Sequence, residues 1–524
     1  MKKFFFLAAL GISAMSYAQV KWYDMVEPLN SIAQGTTNYE NVQVNAAGDL
    51  LLYGNIGSVG MDPHAVIMGD TVATVAFKEN LSNSNSAPFF VKVNEAGDVQ
   101  WMVVCNDGRF TSYAGLALED GGMLVAATAY QSQQSVISFA NHYTPAQTAK
   151  YDQSKEQYGV LLKIAADGKP TILTKFEQAE AGKNDGIAFL NIVTDGTDYY
   201  VLANVKSAVK IAGTTDTIAP TAAGACLAIL KFNAAGAYQG GLMTDGIAMT
   251  SSSAKLLVAN NKLYLISTFK GTTSDQLQLG AASVAVPNDL TNIAVFEANP
   301  DLSCAIYVIT AEKQNNKNTV QTYDVEAKDA YLYINGNYQG GLAILSNTTG
   351  KNAPYVLRFN TQTGAVDAAV DLPVTGTGIG GVMNDALLQK GDSLYAYYYD
   401  WGATGDRVFL QALGADLKIG SRIALINTAT MSTTRGAAFQ GKNLIYTYYA
   451  AKGASKLSAD ETISFNTTAY RGIVVSQQIF SDSTTAAPAV RQETTNKTVK
   501  QINEGNVYVL QNSRVYSITG QQVK

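Results

Sequence analysis

Apolar and polar positions alternate along most of this chain in short paired runs, and the pairs recur. A strand-like run, a tight turn and a second run stand out at Phe89 to Val104 (FFVKVNEAGDVQWMVV). The unit returns at Gly159 to Phe176, at Leu227 to Thr244 and at Pro354 to Leu372, with weaker copies at Ile293 to Thr310 and Arg407 to Ile426 and a half copy at Arg471 to Phe480. Alternation with period two marks strands with two distinct faces. The turns are spelled with an asparagine at the entry and a glycine at the exit, as in Asn94-Glu95-Ala96-Gly97 and Asn233-Ala234-Ala235-Gly236. A side-chain acceptor followed by a residue free to take positive φ predicts a hairpin.

A second hairpin alternates with the first. It runs from Val42 to Gly54, Gly115 to Thr128, Phe189 to Ala203, Lys255 to Thr268, Thr322 to Asn335, Ala386 to Asp400 and Ala438 to Ala450. Two hairpins per unit make one four-stranded blade, so the pattern predicts an all-β single β-propeller, with seven blades favoured over six, eight or a split array of sandwiches. Val20 to Val26 (VKWYDMV) is similar to the outer-strand piece Val99 to Val104, and the seventh unit lacks a good fourth strand, so the N-terminal segment is expected to close the ring. Long polar stretches such as 56–88, 129–158, 204–225, 269–292 and 451–469 enlarge the blades. Several contain a short apolar strand of their own, as at Ala208 to Gly213 and Leu277 to Gly280.

The succession FVKVNEAGDVQW, CNDG and YAGLALEDGGMLVAAT resembles the SBBP-type seven-bladed propeller repeat of exported bacterial proteins, over roughly residues 20–480. That resemblance implies a propeller in a surface or extracellular setting and no particular reaction. The tail SRVYSITGQQVK resembles part of the C-terminal sorting domain of type IX-secreted proteins but stops short of its further strands; an ordinary edge hairpin on the last blade is the competing reading. The division expected is a signal peptide at 1–18, a propeller at 19–480, a linker at 481–500 and a C-terminal β segment at 501–524.

Composition adds compartment. Lys2 and Lys3 precede an apolar run of about a dozen residues, and Ser16-Tyr17-Ala18 offers small residues for cleavage before Gln19. The expected location is extracellular or on the outer cell surface, with the periplasm as alternative. No later run is long and apolar enough for a membrane helix, and a formal charge of −5 argues against nucleic acid as partner. Cys105, Cys226 and Cys304 are far apart in strand-like runs and read as buried thiols.

Candidate chemistry is sparse. His64 and His142 lie in polar joining segments, without a partner pattern for nucleophilic catalysis or metal binding. Asp107, Asp185, Asp245 and Asp385 each fall between one blade's last strand and the next blade's first. Plain turn chemistry is the favoured reading of these four; the alternative makes them candidates for a carboxylate ring at the channel mouth, holding a cation or a sugar. Tyr398, Trp401 and Tyr448 are candidate aromatic contacts, against a core role expected for most of the tyrosines. No cofactor is expected. The sequence favours a non-enzymatic binding or scaffold protein that engages a surface protein or glycan through the loops of one face; the alternative is a carbohydrate-active propeller using channel-mouth carboxylates.

Overall fold

A computed structural model describes most of residues 19–480, together with three short strands between Val499 and Ser517. Outside the description fall 1–18, 481–498 and connecting stretches, chiefly 29–37, 59–63, 74–84, 131–135, 153–157, 180–185, 221–224, 375–381 and 468–470. The expected signal peptide and most of the expected linker therefore lie outside the described residues.

The described chain is strand throughout, save one 3-10 turn at Ser251–Ser253, and no helix in it is long and apolar enough to cross a membrane. Seven antiparallel sheets stand around an axis as the blades of a propeller. The innermost strands are, in order, Asn38–Val44, Arg109–Ala117, Ile187–Thr194, Lys255–Ala259, Thr319–Lys328, Val382–Lys390 and Ser432–Gln440, of blades 1 to 7. Each neighbours the next, and the seventh returns to the first. Between the blades lie the cores, built from alternate positions of facing sheets, as where Tyr397 and Leu410 of blade 6 meet Leu444 and Tyr446 of blade 7.

Closure occurs as the sequence predicts. Gln19–Met25 pairs antiparallel with Arg471–Gln478 and becomes the outer strand of blade 7. Trp22 carries that closure into blade 1: its Nε1 donates to the Glu95 carbonyl at 3.1 Å, and its indole covers the turn at Gly97. The same contact recurs around the ring. Trp101 lies on Gly168 of the next blade, Leu173 on Gly236 and Tyr307 on Gly364. These glycines have φ of +85°, +83°, +81° and +69°. The recurring turn glycine therefore satisfies two needs: a left-handed backbone and room for the neighbour's outer strand. The asparagine at turn entry acts as expected, Asn94 Oδ1 accepting from Asp98 N at 2.8 Å and Asn233 Oδ1 from Ala237 N at 2.9 Å.

The long stretches have a common purpose that their polarity hides. In blade 2 the segment between second and third strands forms the hairpin Val136–Asn141 and Thr148–Asp152. It turns backwards to pair with Val99–Asn106, the outer strand of blade 1. Val209–Ile211 and Thr217–Ile218 of blade 3 likewise cap blade 2, and Gln276–Leu279 and Ala282–Ala285 of blade 4 cap blade 3. Blade 5 caps the continuation of blade 4 at Ala311–Glu312. Blade 7 caps blade 6 through Gly453–Leu457, and blade 1 caps the extension of blade 7 at Glu27–Pro28 through His64–Ile67. Each cap buries a strand end that is otherwise an open edge.

This connectivity makes the two ends of the ring unlike. Tight turns occupy the end where first strands hand over to second and third to fourth. The caps and the links from one blade to the next occupy the other end, where the innermost strands begin.

Candidate functional site

The innermost strands carry a repeated irregularity near that second end. Register shifts occur beside Glu40, Leu190, Tyr323, Asp385 and Arg435-Gly436, and opposite Thr128-Ala129 in blade 2. Blade 4 has none and is instead preceded by the Ser251–Ser253 turn. A bulge adds a residue to one strand and re-aims its side chain. Six blades thus present a redirected residue at a similar level around the axis.

Polar side chains tie the ring together along these strands. Gln43 Oε1 accepts from Ala117 N at 2.6 Å, Ser112 Oγ from Phe189 N at 3.0 Å, Asn191 Oδ1 from Leu256 N at 3.0 Å and Asp324 Oδ2 from Leu387 N at 2.9 Å. Each bond joins the innermost strand of one blade to that of the next. They satisfy amides whose ordinary ladder is broken by the bulge or the ring geometry.

Two charged groups stand out from this frame. On one side Arg435 of blade 7 lies 3.7 Å from Glu40 of blade 1, beside Tyr53 and Tyr113. The Tyr113 hydroxyl is buried with no hydrogen-bond partner among the described residues, and burial followed by the Glu40 charge holds its pKa well above the usual value. On the other side Asp324 and Glu326 of blade 5 sit within electrostatic range of each other, and Lys255 of blade 4 within range of Asp324. Burial raises the Asp324 pKa, with Lys255 and the amides of Leu387 and Val325 opposing. Glu326 is pushed up to about 8, first by burial and then by the charge of Asp324. Near neutrality Glu326 therefore largely holds its proton, although its carboxyl also accepts from the Ala327 amide, which favours the charged form.

The residues singled out from sequence are dispersed. Asp107, Asp185 and Trp401 lie outside the described residues. Asp245 ends Tyr238–Asp245, the fourth strand of blade 3, and pairs there with Gln278 of the cap, while Asp385 is on the innermost strand of blade 6. Asp245 is thus three strands farther from the axis than Asp385. Tyr398 and Tyr448 are fully buried, their hydroxyls bound to the Pro373 carbonyl and to Ser455, so neither ring offers a face to a ligand. They belong to the packing between blades. His142 is on the cap of blade 1 and the backbone of His64 in the cap of blade 7, both away from the innermost strands. Among the described residues no three His, Cys, Asp or Glu side chains converge to hold a metal ion. Glu40, Lys255, Asp324, Glu326 and Arg435 were missed. The available signal was a charge inside a segment that otherwise reads as innermost strand, as in NYENVQV and TYDVEAK.

No family model matches the chain, and a search of curated proteins finds no match. Solved structures of similar outline do exist. A protein of unknown function from Dyadobacter fermentans covers 70% of this chain and 94% of its own length, at 10% identity and a TM-score of 0.35. The Dos1 propeller covers 89% and 97%, at 10% identity and a TM-score of 0.39. The NanB sialidase from Streptococcus pneumoniae covers 88% and 71%, at 8% identity and a TM-score of 0.35. At these TM-scores none of the likenesses bears on activity, and the seven-bladed arrangement rests on the strand pairing itself.

Proposed function

We propose that the chain is an exported, non-enzymatic binding propeller that receives a surface protein or glycan at the end of the ring where the innermost strands begin. One observation carries this reading: the ends of the ring differ, and Glu40, Arg435 and Lys255 lie in the first half of innermost strands that start at the end bearing the caps, with Asp324 and Glu326 deeper along theirs. Asp324 is engaged by the Leu387 amide, which suits a fixed recognition surface.

A second reading has one observation in its favour. Glu326, with its raised pKa beside Asp324, has the protonation state that a general acid for glycoside cleavage requires. Screening the mature chain from Gln19 against glycan and surface-protein arrays tests both. The binding reading expects a saturable ligand, released unchanged, whose affinity falls about tenfold or more in an Arg435→Gln, Glu326→Gln double variant. Turnover of a bound glycan, abolished by Glu326→Gln, establishes the enzyme instead. A ligand indifferent to both substitutions and to Asp245→Asn and Asp385→Asn overturns the site.

A further inference from the structure

Six of the seven outer strands are capped by the following blade. The exception is blade 5, whose outer strand is Ala365–Asp371. The reason is visible in the chain. Blade 6 joins its second strand, ending at Asp400, to its third, beginning at Asp406, with only residues 401–405. Five residues cannot form a hairpin that reaches back to a neighbour. Among the described residues no strand pairs with the outer edge of Ala365–Asp371.

Among the described residues one further β element belongs to no blade. Val499–Asn503, Asn506–Gln511 and Arg514–Ser517 form a small antiparallel sheet whose two edges pair with no other strand among the described residues. A three-stranded sheet of so few residues gains stability when a face or edge is packed against something. Among the described residues it pairs with no strand of the last blade.

We propose that this C-terminal sheet docks by strand addition on the open outer edge of blade 5 and serves as the missing seventh cap. Reach allows it. Residues 481–498, fully extended, span ~60 Å, and a domain of this size is about that wide. Charge favours it over a second copy of the same edge. Residues 19–480 carry 39 acidic and 30 basic side chains, whereas the 44 residues after them carry three acidic and five basic. On the blade 5 edge Asp367 is already paired with Arg358, which leaves Asp371, exposed and bound on one oxygen by the Tyr338 hydroxyl, as the acid open to the Lys500 and Arg514 of the C-terminal segment. The other caps pair through two to four residues at the end of the outer strand, so the predicted contact is with the Ala368–Asp371 end.

Hydrogen exchange on the mature full chain and on a chain ending at Asp482 tests this. In the full chain, amides of residues 368–371 are expected to exchange about tenfold or more slowly than in the shorter chain. A peptide of residues 499–517 added to the shorter chain restores the protection, and Arg514→Glu in the full chain weakens it without altering exchange in blades 1 to 3. Equal exchange in the two chains overturns the proposal. So does protection that rises with protein concentration, which marks a second copy on that edge. Neither result depends on the ligand reading above, which is judged by array binding alone.

Discussion

Substituting Gly168 by alanine separates the two demands made on the recurring turn glycine. At φ +83° an alanine is held in the left-handed region, costing ~1–2 kcal/mol. Its Cβ would also lie 2.6 Å from the Trp101 Cβ and crowd Asn141, so the outer strand of blade 1 has to move. Overpacking of that kind costs roughly 1–3 kcal/mol more. Gly196 is the internal control: its φ is +90°, and nothing lies within 4 Å of a Cβ built there. Gly196→Ala is therefore expected to lose ~1–2 kcal/mol and Gly168→Ala roughly 2–5 kcal/mol. Equilibrium urea unfolding, followed by tryptophan fluorescence with Trp101 at the contact, reads the difference as a midpoint shift at constant slope. Equal losses at the two glycines would show that blades do not bear on one another through these turns, and the account of the repeat would fail.

Three further outcomes are expected. Trp22→Ala removes both the bond to Glu95 and the cover over Gly97, and should cost ~2–4 kcal/mol, while Trp22→Phe costs less; urea midpoints for the pair check it. Asn191→Ala leaves the Leu256 amide without its acceptor for ~1–3 kcal/mol, and Asn191→Asp recovers part of that loss in the same assay. Glu326 is an acid whose folded pKa, about 8, lies above its unfolded value. Deprotonation is thus harder in the fold, and stability falls as pH rises from the unfolded pKa to about 8, by at most ~1.4 kcal/mol per pH unit for this one group. Glu326→Gln should flatten that slope between pH 5 and 8, and an unchanged slope would contradict the assigned environment.

The parts of the fold legible in sequence are those fixed by local chemistry. Asn94 and Gly97 announce their turn because the asparagine side chain and the glycine φ are both needed within four residues. The closing strand was legible because Trp22 meets Gly97 as Trp101 meets Gly168, and the like contacts left like sequences. The caps were not legible as caps. Val209–Ile211 and Gln276–Leu279 show as brief apolar runs, but they pair across a blade boundary through two or three residues, and no local pattern names that partner. The site was hidden for a related reason. Asp324 and Glu326 lie two apart in an alternating strand and read as solvated positions; the partners of Asp324, Lys255 and Leu387, lie about 70 residues before and 60 after it. Conversely, Tyr398 and Tyr448 look like exposed platforms in their tyrosine-rich strings and are buried, because both faces of these inner strands meet a neighbouring blade.

The claim on which the rest stands is that the first and last strands of the propeller meet in one blade. Gln19 lies opposite Gln478. With both replaced by cysteine, mild oxidation of the mature protein should give a disulfide joining these positions within one molecule, found by mass spectrometry as a single cross-linked peptide pair. A protein in which these cysteines stay reduced, or join only between molecules, would mean that the ring is not closed by its N-terminal strand.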